Sequence, residues 1–273
     1  MFITNTHSVG VVRDAAIAWS VKQGRMFQPW SLPVVAETWD GTLNDINGFH
    51  VKPEHVTAAI ESASAGPVRE GNVGGGTGMI CYEFKCGTGT ASRKLPAQAG
   101  GYTVGVLVQA NHGRRNELRV AGAPVGQDIP VPVVPRPGEP AAEEQGSIII
   151  IVATDAPLLP HQLERVAQRA TMGLARTGAT SGNGSGDIFL AFSTANPEVA
   201  GATREVHVSM LPNARISAVF SATVEATEEA IINALIGAET MTGRDGRRVE
   251  AIPHERLRDL LKKYGRTSAD SAR

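Results

Sequence analysis

Apolar residues recur at helical spacing in several stretches of the chain. Val12, Ala15, Ala16 and Trp19 fall on one face of residues 11–22, with Gly24 placed to end the helix. Pro53 suits a first helical position, and Val56, Ala59, Ile60 and Ala63 line one face before Gly66-Pro67 stops the run. Pro160 opens a third helix whose stripe is Leu163, Val166, Ala167, Ala170 and Leu174, and residues 253–264 form a last amphipathic helix. A further helix is predicted over 227–236, capped near Thr227 with Glu228 and Glu229 in its first turn.

Strand-like runs occupy 32–36, 79–85, 102–110, 148–153 and 187–192, with β character also at 206–208 and 216–220. The run at 148–153 is apolar at every position, as in strands buried on both faces. Strands and helices alternate only in part, which predicts α/β layers rather than a parallel Rossmann sheet. One segment stands apart: 130–145 holds Pro130, Pro132, Pro135, Pro137 and Pro140 among acidic residues, so it should be an extended, solvated linker unable to enter a sheet. The linker ends at Gly146, and a lone hydroxyl, Ser147, separates it from the apolar strand.

Composition narrows the classes. The chain has 273 residues, 42% of them hydrophobic and 19% charged, enough for a core and unlike a disordered segment. A net charge of -1 gives no basic footprint, so nucleic acid is not an expected partner. No run reaches the roughly 18 apolar residues of a membrane span, and the first five residues lack the pattern of a signal peptide, so a cytoplasmic protein without membrane attachment is expected. Cys81 and Cys86, with four residues between them, fit no common zinc knuckle, and seven scattered histidines add no second ligand pair. Both are expected to be buried, reduced thiols, with no metal. Thirty glycines against 5% aromatics favour close backbone approach.

Four stretches hold candidate chemistry. The glycine-rich run 71–78 has neither the spacing of a dinucleotide fold nor the ending of a P-loop, so tight turns are the favoured reading, with some N–H groups available to line a pocket. Ser147 would be a plain strand-entry residue but for what cutting the Gly146–Ser147 bond would create. The new N-terminus would carry a hydroxyl nucleophile and its own α-amine, whose pKa of about 7.7–8.0 suits a general base near neutrality. Gly146 presents no side chain to obstruct attack on its carbonyl. In Ser181-Gly182-Asn183-Gly184-Ser185-Gly186-Asp187, Ser185 and Asp187 share a face if extended, and a carboxylate bonded to a hydroxyl can handle protons without histidine; composition alone reads as a turn. Asn111, at the end of a strand, either offers its amide to an oxyanion or caps a turn.

The last three of these stretches, as Gly146-Ser147-Ile148-Ile149-Ile150, Gly182-Asn183-Gly184-Ser185-Gly186-Asp187 and Val104-Gly105-Val106-Leu107-Val108-Gln109-Ala110-Asn111, combine with Thr6-His7-Ser8-Val9-Gly10-Val11-Val12-Arg13-Asp14, Val35-Ala36-Glu37-Thr38-Trp39-Asp40-Gly41 and Leu43-Asn44-Asp45-Ile46-Asn47-Gly48 into a pattern spanning nearly the whole chain. It resembles the DmpA-like serine aminopeptidases, which include L-aminopeptidase/D-Ala-esterase/amidases and β-peptidyl aminopeptidases. The resemblance implies a single domain, a four-layer α/β/β/α sandwich of the type shared with ornithine acetyltransferases, cut before a serine into an α chain (1–146) and a β chain (147–273). It implies Ser147 as nucleophile, Ser185 and Asp187 as its supports, with Asp187 where some members carry Glu, and Asn111 as oxyanion donor. It implies short peptides, amino-acid amides or esters as substrates, no metal or cofactor, and a homo-oligomer such as a tetramer of αβ units.

Two departures carry expectations of their own. Trp39 stands where some members have an oxyanion-contacting tyrosine, so either its indole N–H donates instead or the contact is lost. The opening motif lies well inside family members, so a strand and part of the pocket wall are expected to be missing. Glu37 is the first choice for holding the substrate ammonium, ahead of Asp40 and Asp45. Two alternatives stand beside hydrolysis: acyl transfer, for which the cousins would be expected to use threonine at the cut, and an inactive truncated homologue serving as an oligomeric scaffold.

Overall fold

The computed structural model describes residues 1–26, 28–129, 132–133 and 146–267. The predicted linker 130–145 lies outside the described residues apart from 132 and 133. The chain begins with strand β1 (Phe2–Asn5), helix α1 (Val9–Lys22), strand β2 (Val35–Thr38) and helix α2 (Pro53–Glu61). A tight hairpin of β3 (Ile80–Cys81) and β4 (Phe84–Lys85) leads to β5 (Thr88–Lys94) and β6 (Thr103–Asn111). Then come β7 (Ser147–Thr154), α3 (Pro160–Arg176), β8 (Ile188–Ser193) and α4 (Ser217–Ile236). A small hairpin, β9 (Met241–Thr242) and β10 (Arg248–Val249), and α5 (His254–Lys263) complete it.

Four layers result. The main sheet runs β5-β6-β7-β8, antiparallel except for the parallel β7–β8 pair, and β1 and β2 form a second, parallel sheet. Helices α3 and α4 cover one face of the main sheet, β2 meets β7 on the other, and α1 packs on β1, β2 and α2. This is the α/β/β/α sandwich expected. Alternation along the strands explains the layering: Val104, Val106, Val108, Ile148, Ile150 and Val152 face the helices within one core, while Gln109 points to the second sheet and donates to Thr38 Oγ1 at 2.5 Å. Ile148, Ile149 and Ile150 are fully buried, each contributing about 2 kcal/mol relative to exposure. The smaller core of Val12, Ala15, Ala16 and Val56 fastens the outer helices to Phe2 and Val35.

Several expectations fail for identifiable reasons. Residues 216–220 are not a strand; Ile216 is the N-cap of α4 and Val219 and Phe220 lie in its first turns. Thr227 caps nothing, lying buried in the middle of that helix with its hydroxyl turned back to the Thr223 carbonyl at 2.7 Å, which satisfies it where water is absent. Residues 206–208 form no strand, and Val206 and Val208 are exposed. The strand predicted at 32–36 begins later, after Pro33, and runs to Thr38. Strand β5 escaped notice because Gly, Ser, Arg and Lys interrupt it; its seven-residue register with β6 supplies the order that its composition does not. Gly89 in β5 has a packing reason, since a Cβ there would lie 2.0 Å from the Ala230 carbonyl oxygen of α4.

The run 79–85 folds as two short strands around Tyr82 and Glu83, both at positive φ (50° and 59°) as a two-residue primed hairpin turn requires. Cys81 and Cys86 are buried but not reduced: they form a disulfide across this hairpin, contrary to the thiol expectation. The sequence spacing admits it because the hairpin folds back and brings the two Cα atoms to 5.3 Å.

Candidate active site

The site is assembled where the ends of β6 and β7 meet the loop before β8. Ser147 is the first residue of β7 and sits opposite Asn111, the last of β6, in the antiparallel register. Ser147 is half-buried, and its rigid side is the buried strand that follows. The preceding Gly146 is buried, and a Cβ on it would fall 2.5 Å from the Asn111 carbonyl oxygen and 2.6 Å from the His112 Cα. Both contacts are with backbone, so only glycine fits in front of the serine.

The loop 181–187 reaches over this junction. The Gly186 N–H points at two oxygens together, Ser147 Oγ at 3.1 Å and the Gly146 carbonyl at 3.3 Å. Asp187 accepts three hydrogen bonds: from the Ile148 N–H at 3.0 Å and the Ser185 hydroxyl at 2.6 Å on Oδ1, and from the Ser181 hydroxyl at 2.7 Å on Oδ2. The carboxylate therefore ties the loop to the start of β7. Asn111 is buried and held at both ends of its amide: Oδ1 accepts the Ile80 N–H at 3.0 Å, and Nδ2 donates to the Trp39 carbonyl at 2.8 Å. Its orientation is thus set by two backbone groups.

Ser147, Ser185, Asp187 and Asn111 are accordingly brought together, with Gly146 beside them. Trp39 joins through its carbonyl; its ring folds over Gly41, where a Cβ would lie 2.5 Å from Cζ2. The indole N–H expectation thus finds its residue at the site with the ring directed along its own turn. Glu37 lies two residues earlier on β2 and accepts the Thr6 hydroxyl at 2.5 Å. Asp40 is buried and accepts from Asn5 and Asn44, and Asp45 pairs with His50 at 3.2 Å, so both have structural partners. No group of three or more His, Cys, Asp or Glu that could hold a metal occurs among the described residues.

Three contributors escaped the sequence. Ser181, the third donor to Asp187, sits six residues away and is reached only because its own φ of 51° turns the chain. Gly186 acts through its backbone, which composition does not reveal. The third is Lys85, fully buried in β4, whose ammonium donates to the carbonyls of Gly76 (3.3 Å), Met79 (3.0 Å) and Cys86 (2.5 Å). The Met79 carbonyl belongs to the same peptide group as the Ile80 N–H that holds Asn111, so Lys85 fixes the far side of that contact.

Burial pulls the Lys85 pKa down from 10.5 to about 7. Between those values the unfolded chain holds a proton that the folded chain has lost, so stability rises with pH. The burial penalty is greatest below about 7 and is relieved as the pH climbs toward 10.5. The melting temperature of the wild type is expected to rise between pH 6 and 8.5 relative to that of a Lys85→Met variant, and parallel curves would show that the ammonium is not the group responsible.

Residues 1–249 match the family model of Peptidase family S58. The chain is 53% identical over 279 residues to a beta-peptidyl aminopeptidase, BapA, of Sphingosinicella microcystinivorans, covering 98% of this chain and 70% of that protein. Among solved structures it is similar to a Burkholderia sp. beta-aminopeptidase, with TM-score 0.89 and 51% identity over 97% of this chain and 74% of the other. It is also similar to the L-aminopeptidase D-Ala-esterase/amidase of Ochrobactrum anthropi, described as a prototype for the serine aminopeptidases and a variant of the Ntn hydrolase fold, with TM-score 0.86 and 48% identity over 97% and 74%. The chain belongs to Peptidase family S58 and is a hydrolase of the serine aminopeptidase class.

Proposed function

We propose that the chain cuts itself between Gly146 and Ser147 into an α chain (1–146) and a β chain (147–273), and that Ser147 is then the N-terminal nucleophile for hydrolysis of short peptides, amino-acid amides and esters. The observation that carries this reading is the Gly186 N–H shared between Ser147 Oγ and the Gly146 carbonyl oxygen. A donor in that position polarises the carbonyl and stays in place as its oxygen becomes an oxyanion.

In self-cleavage, Ser147 Oγ bonds to the Gly146 carbonyl carbon, and its proton passes to the Ser147 nitrogen. The C–N bond then breaks, the Ser147 nitrogen leaves as an amine, and water hydrolyses the resulting ester to free the Gly146 carboxylate. In the mature enzyme the α-amine of Ser147 takes the proton from Oγ as it attacks the substrate carbonyl, a role suited to its pKa of about 7.7–8.0. Asn111 donates to the oxyanion, and Ser185 and Asp187 orient the amine, which passes its proton to the leaving amine or alcohol as the scissile bond breaks; water then releases the acyl group from Ser147 as the free acid. Glu37, on the strand that leads to Trp39, is the residue assigned to the substrate ammonium. Assembly into a homo-oligomer such as a tetramer of αβ units belongs to the same proposal; Ile188 and Phe192, 46% and 42% exposed on the face of β8 turned away from the helices, offer such an assembly an apolar surface to bury.

Recognition of a free amine is the test. An amino-acid p-nitroanilide with an unblocked amine is expected to be hydrolysed, and its N-acetyl counterpart at least about a hundredfold more slowly, since it loses a charge-assisted contact. Equal rates on the two would refute an exopeptidase.

A further inference from the structure

Next to the candidate site lies a pocket of about 390 Å³ whose wall includes His7, Trp39, Asn47, Arg244, Asp245 and Arg247. Its volume falls in the range of small-molecule sites. Trp39 is common to both places: it lines the pocket, while its carbonyl receives Asn111 Nδ2 and Asn111 sits opposite Ser147 in the strand register. The arginines come from the tip of the β9–β10 hairpin, which is pinned by the Arg244 N–H donating to the Leu43 carbonyl at 2.7 Å and by Asp245 and Gly246 at positive φ.

Charge in the pocket is unevenly matched. Asp245 pairs with Arg244 at 3.2 Å, and Asp45 lies 3.7 Å from Arg244 while also bonding His50. Both nearby carboxylates are thus engaged by Arg244 or His50. Arg247 Nη1 is buried and has no hydrogen-bond partner among the described residues. A guanidinium nitrogen removed from water without an acceptor is costly; Arg247 also lines the pocket, so a carboxylate bound there meets its guanidinium, and a small side-chain shift brings the occluded Nη1 within reach of the same acceptor.

We infer that this pocket is the subsite for the leaving half of the substrate, where Arg247 receives the terminal carboxylate of a free dipeptide or other very short peptide. The inference rests on the aminopeptidase reading. A short peptide brings two charged ends to such an enzyme; the ammonium belongs to the acyl half, and a pocket walled by arginine matches the carboxylate of the other half. The enzyme would then prefer free dipeptides to peptide amides and to longer chains, whose carboxylate lies beyond reach.

The test uses the full-length protein. The L-alanyl, D-alanyl or β-alanyl p-nitroanilide cleaved fastest sets the acyl residue and measures the active enzyme. Then kcat/KM is compared for the dipeptide of that residue with glycine and for its C-terminal amide. The wild type is expected to favour the free acid by about tenfold or more, as for a hydrogen bond to a charged group. Arg247→Met should bring the ratio close to one, and Arg247→Lys should restore part of it. A wild-type preference for the amide, or a ratio untouched by Arg247→Met in a variant whose melting curve matches the wild type, would overturn the assignment. Absence of all p-nitroanilide hydrolysis would instead count against the aminopeptidase reading. Calorimetric titration with glycylglycine and glycylglycinamide then decides the pocket separately: selective binding of the acid that Arg247→Met abolishes supports it, and equal binding of both overturns it.

Discussion

Ser147→Ala is expected to yield a single uncut chain of 273 residues with hydrolytic activity below about one part in 10⁴ of the wild type. The expectation follows from one oxygen serving two reactions. Without Oγ nothing attacks the Gly146 carbonyl, so no α-amine is released, and nothing attacks a substrate. The fold should survive, because the Gly186 N–H keeps the Gly146 carbonyl as its second acceptor and Asp187 keeps its contacts with Ile148, Ser185 and Ser181. A denaturing gel, a p-nitroanilide assay and a melting curve together separate loss of chemistry from loss of structure. A cut and active Ser147→Ala protein would place the nucleophile elsewhere.

Asn111→Asp is the second change with a large expected effect. The carboxylate can still accept the Ile80 N–H, so that end of the contact is retained. It cannot donate to the Trp39 carbonyl, and it sets a negative charge where an oxyanion must form. A fall in kcat of about 10²–10³-fold with little change in KM is expected, the range measured for removal of one oxyanion donor. Asn111→Ala would show a similar kcat but lower stability, because the Ile80 N–H and the Trp39 carbonyl would both lose a buried partner, at about 1–3 kcal/mol each. A variant that lost stability while keeping kcat would make Asn111 a purely structural residue.

Much of the site was legible in the chain because its chemistry is local. Ser147 stands at an abrupt change from Pro-rich polar sequence to consecutive isoleucines, and the structure makes it the first residue of a buried strand. Ser185 and Asp187 stand in a glycine-rich loop whose backbone must approach a strand end. What stayed hidden is what depends on backbone path. The Cys81–Cys86 bridge needs a hairpin whose turn residues are Tyr82 and Glu83, without the Asn-Gly pair that would announce it. The role of Lys85 depends on three carbonyls converging from residues 76, 79 and 86. Helix α4 was partly read as a strand because Ile216, Val219 and Phe220 favour β structure locally; packing of α4 against β5, β6 and α3 overrides that preference. The second sheet was half seen: β2 was expected, but β1 is four residues long and defined by its pairing with β2.

The most direct measurement is the N-terminal sequence and intact mass of the wild-type protein after purification and incubation at neutral pH. Two polypeptides are predicted, one ending at Gly146 and the other beginning Ser147-Ile148-Ile149, present in equal amounts. A single uncut chain that nevertheless hydrolyses amino-acid p-nitroanilides would contradict an N-terminal nucleophile at Ser147.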